Sequence, residues 1–295
     1  MPPEGHGPQT KYYTPFQSIG ARGVNNLASK LLLTLLPPNS PFFRLTIDPF
    51  LLKKNGLDQQ KELRTELEKA LGEVERAVQG EVEASSVRVT MFEALRQLIV
   101  AGNTLLYVPK EGNIRSFRLE NYVVRRDSSG NLLEIIIEEK VSPATLSSEV
   151  KAFYQGQENK EFADACSSSK DILLYTRICL KGSEDGWDIY QEMCGMEVPE
   201  TRGAYPLDHL PYIPLRFNRI DGEDYGRGYV EEYYGDLRSL EALSQAIVEG
   251  SAAASRVLFL VKPNSVTRTK TVADAPNGAV ITGAAEDITT MRVDK

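Results

Sequence analysis

Asp127 followed by Glu138-Glu139-Lys140 is the grouping whose residue types and spacing come nearest to a catalytic arrangement. An acid at one arm of a hairpin, with acid-x-Lys on the next strand, is the layout of a large nuclease class. There the carboxylates hold a divalent metal and the lysine steadies the attacking water. Asp127, Glu138 and Lys140 would be the working set. The same residues have a plainer use, with Asp127 as a turn-former and the Glu/Lys pair as a solvated strand edge. Other catalytic signatures are missing from the chain: no Gly-x-x-x-x-Gly-Lys-Ser/Thr phosphate loop, no Gly-x-Ser-x-Gly elbow, no His-Glu-x-x-His. Gly20-Ala21-Arg22-Gly23 has the composition of a phosphate-cradling turn but is too short to be specific. Glu231-Glu232 suit the positive end of a helix dipole and need no catalytic role.

Cys166, Cys179 and Cys194 are odd in number and too widely spaced for a zinc knuckle, and His6 and His209 are the only histidines. Three reduced, mostly buried thiols are expected, with no metal and no cofactor. The formal net charge is −7. A protein that grips nucleic acid tightly carries a basic surplus, so this balance argues against that class. It is compatible with a surface that DNA slides past. No secretory signal opens the chain, and Leu31 to Leu36 falls far short of the roughly 20 apolar residues that span a bilayer.

The elements that must position these residues follow from periodicity. A helix is predicted from Ser18 to Leu36, with Val24, Leu27, Leu31 and Leu35 on one face, stopped by Pro37-Pro38. Phe42 to Ile47 alternates as a strand. Leu63, Leu67, Leu71, Val74, Val78 and Val82 mark a second helix as a packed stripe under a charged face. A third runs from Thr90 to Val100, is stopped by Gly102-Asn103, and is followed by a strand from Thr104 to Val108. Phe117 to Arg126 and Leu132 to Lys140 form a hairpin across Asp127-Ser128-Ser129-Gly130-Asn131. Gly156 to Lys170 reads as a linker. Ile172 to Leu180 and Trp187 to Val198 read as a second small β unit, closed by Leu207 to Phe217.

Asp221 to Gly226 leads into one long helix, Tyr229 to Arg256, extending roughly 40 Å at about 1.5 Å per residue. Its expected buried stripe is Val230, Tyr233, Leu237, Leu240, Leu243 and Ile247. The small residues from Gly250 to Ser255 would let neighbouring backbones crowd together. Short strands are expected at Val257 to Val261 and Gly278 to Thr282. No internal repeat is present.

Three stretches resemble the portal (head-to-tail connector) family of short-tailed, autographivirus-type bacteriophages. They are Tyr13 to Leu31 (YTPFQSIGARGVNNLASKL), Arg88 to Leu95 (RVTMFEAL) continuing to Val100-Ala101-Gly102-Asn103, and Pro211-Tyr212-Ile213-Pro214 leading through Asp221-Gly222-Glu223 and Gly226-Arg227 to Glu231-Glu232-Tyr233 and Gly235 to Glu241. The resemblance implies an α+β portal fold with a wing, a stem helix and a small β-rich clip. By position, 1–141 would be wing with a loose stub at 1–12, and 142–171 a candidate first stem segment and linker. Residues 172–217 would be clip, 218–256 stem helix, and 257–295 the return into the wing. Family chains carry a further segment ahead of the match and a channel helix and crown after it, so the sequence is expected to be truncated at both ends.

The resemblance further implies a non-catalytic ring of about twelve copies, closed by head-to-tail contacts, at one capsid vertex of a virion assembled in the host cytoplasm. Its partners would be the terminase large subunit, scaffolding and major capsid proteins, a tail adaptor, and double-stranded DNA in the channel, with no membrane. Subunit-contact or stem residues would be Tyr233, Leu237, Leu240, Ile247, Gly250 and Ala253. Two rival readings remain: the metal-dependent nuclease above, and a helical scaffold or adaptor that uses the long helix as an assembly rod.

Overall fold

Apolar residues recurring at three- and four-residue steps produce helix α1 (Ile19–Leu35), which lies against α3 (Val87–Ala101). Ala28, Leu95, Leu98 and Ile99 are buried between them, joined by Val24, Leu27, Leu31 and Phe92. Where Pro37-Pro38 ends α1, the Arg88 guanidinium donates to the carbonyls of Leu36 (2.6 Å) and Pro37 (3.1 Å), supplying partners that the helix cannot. Gly20 to Gly23 are ordinary helical residues of α1 and not a phosphate turn. Between these helices in sequence runs α2 (Lys61–Ala84).

The computed structural model describes residues 14–38, 40–48, 61–157, 159–168, 170–182, 186–254, 257–261 and 288–292, with 270, 284 and 286 as single positions. The chain is a mixed α+β protein in two units, Gly20–Tyr233 and Met1–Ile19 with Tyr234–Lys295.

In the first unit, β1 (Asn103–Tyr107) is the central strand of a three-stranded antiparallel sheet, flanked by β2 (Arg115–Phe117) and β9 (Tyr212–Arg216). The second sheet runs β3 (Tyr122–Arg126), β4 (Leu132–Val141), β5 (Ile172–Gly182), β6 (Gly186–Met193) and β7 (Met196–Glu197), with β8 (Gly203–Tyr205) also paired to β6. Period-two alternation directs Ile135 and Ile137 inward, opposite Val124 and Tyr122. They share one core with Leu105, Phe117, Ile178 and Trp187. A second core gathers Tyr154 of α4 (Ser148–Gly156) and Phe162 of α5 (Lys160–Ser168), stacked at 5.1 Å, over Ile172, Met193 and Val198.

In the second unit the chain continues after α6 (Tyr229–Glu232) as α7 (Tyr234–Ala254). There β10 (Val257–Val261) pairs antiparallel with β11 (Ile288–Arg292), and the Phe16 N–H donates to Glu241 Oε1 at 2.7 Å.

Several expectations are corrected. Phe42 to Ile47 pairs with no strand among the described residues; instead the Leu45 N–H donates to Glu75 of α2 at 2.6 Å. The expected linker from Gly156 to Lys170 holds α5, because Phe162 supplies enough apolar surface to fix a short helix on the sheet. Phe117 to Arg126 is divided between the two sheets by a single tight turn at Leu119–Asn121. The second β unit is not separate: β4 and β5 pair without interruption from Glu134 opposite Cys179 to Val141 opposite Ile172.

The long helix is broken at Tyr233 (φ −99°, ψ 10°), after Tyr229 has packed edge-on against Phe217 at 5.1 Å. The apolar stripes are not buried. Leu63, Val74 and Val78 of α2 are exposed, as are Tyr233, Leu240, Leu243 and Ile247. The thiols are less hidden than expected, with Cys166 exposed and Cys179 and Cys194 half-buried. The stub at 1–12 and Gly278 to Thr282 lie outside the described residues, as do Ser255 and Arg256. No helix of the described residues is long and apolar enough to cross a membrane.

Candidate functional site

The catalytic grouping suggested by sequence does not assemble. Asp127 accepts from the Asn131 backbone N–H (2.7 Å) and side-chain amide (2.8 Å), and these bonds hold its carboxyl below the usual value. It closes the hairpin turn with Gly130, whose φ of +86° suits glycine. Glu138 to Lys140 sit at the opposite end of β4, since Leu132 faces Arg126 and Ile137 faces Tyr122. Six residues at about 3.3 Å each separate them from the turn by roughly 20 Å. There Glu139 pairs with Arg115 at 2.5 Å and Glu138 engages the Tyr175 hydroxyl. A metal cannot be shared across that distance.

What does converge is a clasp between the start of β1 and the segment ahead of α6. The Asn103 side chain, 3% exposed, donates to the Gly226 carbonyl (2.8 Å) and accepts from the Gly226 N–H (2.7 Å). One amide thus satisfies both backbone polar groups of Gly226 across 123 residues of sequence. The backbones are in contact on either side. A Cβ on Gly102, which ends α3 with φ +72°, would stand 2.3 Å from the Arg227 carbonyl carbon. A Cβ on Gly228 would stand 2.5 Å from the Val100 oxygen. Only glycine lets the two strands of backbone approach so closely.

Polar contacts extend the clasp to the larger sheet. The Val124 N–H donates to the Tyr225 hydroxyl (3.0 Å) and the Arg126 N–H to Asp224 Oδ1 (2.6 Å). The Arg126 guanidinium donates to the carbonyls of Asp224, Gly130 and Pro214 at 3.0–3.2 Å. On the outer side Arg227 pairs with Glu223 and Glu231, and Glu232 accepts from Asn218. The arrangement fixes backbone and activates no nucleophile.

Sequence reasoning read Gly102-Asn103 as a helix stop and as part of a stretch resembling the connector family, not as one side of a clasp. The signal for more was the run of glycines at 102, 226 and 228, each in a stretch already singled out for other reasons. Of the expected stem residues, Tyr233 sits at the helix break and the others lie on α7. Leu240 and Ile247 are exposed, and a Cβ on Gly250 would meet nothing within 4 Å.

A family model described as bacteriophage head to tail connecting protein matches residues 2–295. The chain belongs to that family. Within the head-to-tail connecting proteins it is 41% identical to the portal protein of Escherichia phage T7 over 300 residues, covering all of this chain and 54% of that one. Identity to the portal protein of Enterobacteria phage T3 is 39% over 299 residues, again across 100% of this chain and 54% of that one. For Enterobacteria phage SP6 it is 32% over 281 residues, or 95% and 53% of the two chains. The chain spans about half the length of the curated relatives it matches.

Proposed function

We propose that the chain is a portal subunit, a structural protein of the virion. Copies close into a ring of about twelve at one capsid vertex. Double-stranded DNA is packaged and ejected through the ring, the terminase large subunit and a tail adaptor dock on it, and scaffolding and major capsid proteins surround it. The observation that carries this reading is the match to the connector family along the whole chain, together with relatives named as portal proteins. The nuclease reading finds no support, because its three residues stand at opposite ends of a hairpin.

In this proposal 1–141 is wing, 172–217 clip and 218–256 stem, with the return into the wing after 257. The unbroken β4–β5 ladder would make wing and clip one continuous sheet at their junction. The contact residues are Tyr233, Leu237, Leu240, Ile247, Gly250 and Ala253. Exposure of Tyr233, Leu240 and Ile247 in the single chain supports a face that another copy covers. Negative-stain imaging and native mass spectrometry of the purified chain test the proposal. A closed ring with a central hole is expected; a monomer at every concentration overturns assembly through this part of the protein.

A further inference from the structure

We propose that Arg126, Arg216 and Arg219 form a binding site for a phosphate group at the turn of the β3–β4 hairpin. Three guanidinium groups gather about Gly130, a residue with no side chain of its own. A Cβ placed there would lie 2.9 Å from Arg219 Nη2 and 3.1 Å from Arg216 Nη2, and Arg126 Nη1 donates to the Gly130 carbonyl at 3.1 Å.

Each group is held in place by neutral backbone. Arg126 donates to three carbonyls, Arg216 to that of Glu223 (2.9 Å), and Arg219 to that of Ser129 (2.7 Å). Such bonds orient the guanidiniums and leave their charge uncancelled. Among the described residues neither Arg126 nor Arg216 forms an ion pair, and Arg219 has only the exposed Asp221 at 3.6 Å. The neighbouring acids have partners of their own, and of them only the Asp224 carboxylate acts on the Arg126 charge. Asp224 accepts from the Arg126 backbone, Asp127 from Asn131, and Glu223 pairs with Arg227. Burial, and next the charge of Arg216, push the Arg126 guanidinium below its ordinary value, against the opposing pull of the Asp224 carboxylate.

Each guanidinium has five N–H donors, so Arg216 and Arg219 keep most of theirs after these carbonyl bonds, and Arg126 keeps two. Planar, oriented forks with spare donors match the several oxygens of a phosphate better than the two of a carboxylate. The group could be a free phosphate or part of a nucleic-acid backbone; the chemistry of recognition is the same.

The test uses the full chain and the double variant Arg216→Gln/Arg219→Gln. Arg126 is left intact because three carbonyls depend on it. Calorimetric titration with inorganic phosphate at constant ionic strength is one arm, and anisotropy of a short labelled duplex in low salt is the other. Arg202→Gln, remote in sequence and paired with Glu197, controls for loss of one exposed charge. The parent should bind in at least one arm, and the double variant should bind there about tenfold more weakly or worse, with the control unchanged. Loss in the duplex arm assigns the phosphate to nucleic acid; loss in the inorganic arm alone assigns a free anion. If the double variant unfolds by circular dichroism, Arg219→Gln is measured alone. No binding by the parent in either arm, or equal binding by parent and variant, means the arginines only brace the turn and overturns the proposal.

Discussion

The junction around Asn103 and the helices α2 and α7 are built on opposite terms. At the junction the buried polar side chains are answered within the chain, Asn103 by Gly226 and Thr104 by Gln97, and the half-buried Tyr225 is answered by Val124. Along α2 and α7 the sequence supplies equally regular apolar stripes that the described residues leave in large part exposed. Leu243 is 61% exposed and Ile247 64%. The two regions therefore serve different ends. The first specifies the chain's own fold, and the second leaves apolar surface whose burial would have to come from outside the described residues.

That contrast can be broken most forcefully at Gly102. Gly102→Val would force a Cβ into the Arg227 carbonyl and a β-branched residue into φ +72°, costing about 4 kcal/mol or more from overpacking and left-handed strain together. Denaturant unfolding should show a large loss of midpoint or no cooperative fold; a change under about 1 kcal/mol would mean the clasp is loose. Next comes Phe162→Ala, expected to cost about 3–5 kcal/mol because the side chain is fully buried on the sheet. A linker residue would cost almost nothing, so the same unfolding measurement separates the two descriptions of this segment.

On the exposed side, Ile247→Ala should change the stability of the dissociated chain by no more than about 0.5 kcal/mol. Gly250→Leu likewise has open space around it. Both should nonetheless shift assembly in sedimentation experiments if α7 lies at a subunit contact, and unchanged assembly removes α7 from it.

The smallest effect is expected at Asp127. Its folded carboxyl is held below the ordinary 3.8, so its contribution is complete above that value and is lost as pH falls through the lower folded value. Asp127→Asn should melt slightly earlier than the parent at neutral pH, with the two melting curves converging in strong acid. A constant offset at all pH values would show that hydrogen-bond geometry, and not charge, is what matters at the turn.

Legibility in the sequence followed the range of the interaction. Helices α1 and α3 and the β3–β4 turn were readable because proline, glycine and the Asp127-to-Asn131 spacing act within a few residues. Helix α5 was not, since its polar sequence earns a helix only once Phe162 finds Tyr154 and Met193. The break at Tyr233 escaped because the stripe continues in phase on both sides, while Tyr229 packs on Phe217, a partner outside the helix. Phe42 to Ile47 has strand alternation without a strand to join among the described residues. The clasp was invisible to periodicity altogether, being made of one amide and three glycines.

The position of β1 between β2 and β9 also sets an order of events on the ribosome. Its β2 edge can close within a few residues of synthesis, but the other edge waits for Tyr212 to Arg216, about a hundred residues later. At elongation rates of about 5–20 residues per second that interval is roughly 5–20 seconds. Through it the nascent chain carries an open strand edge beside the apolar side chains of Leu105 and Leu106, a template for mispairing between neighbouring chains on one message. Arrival of β9 seals that edge, and Gly226 then reaches Asn103 ten residues further on, so the clasp locks a sheet that has only just been completed.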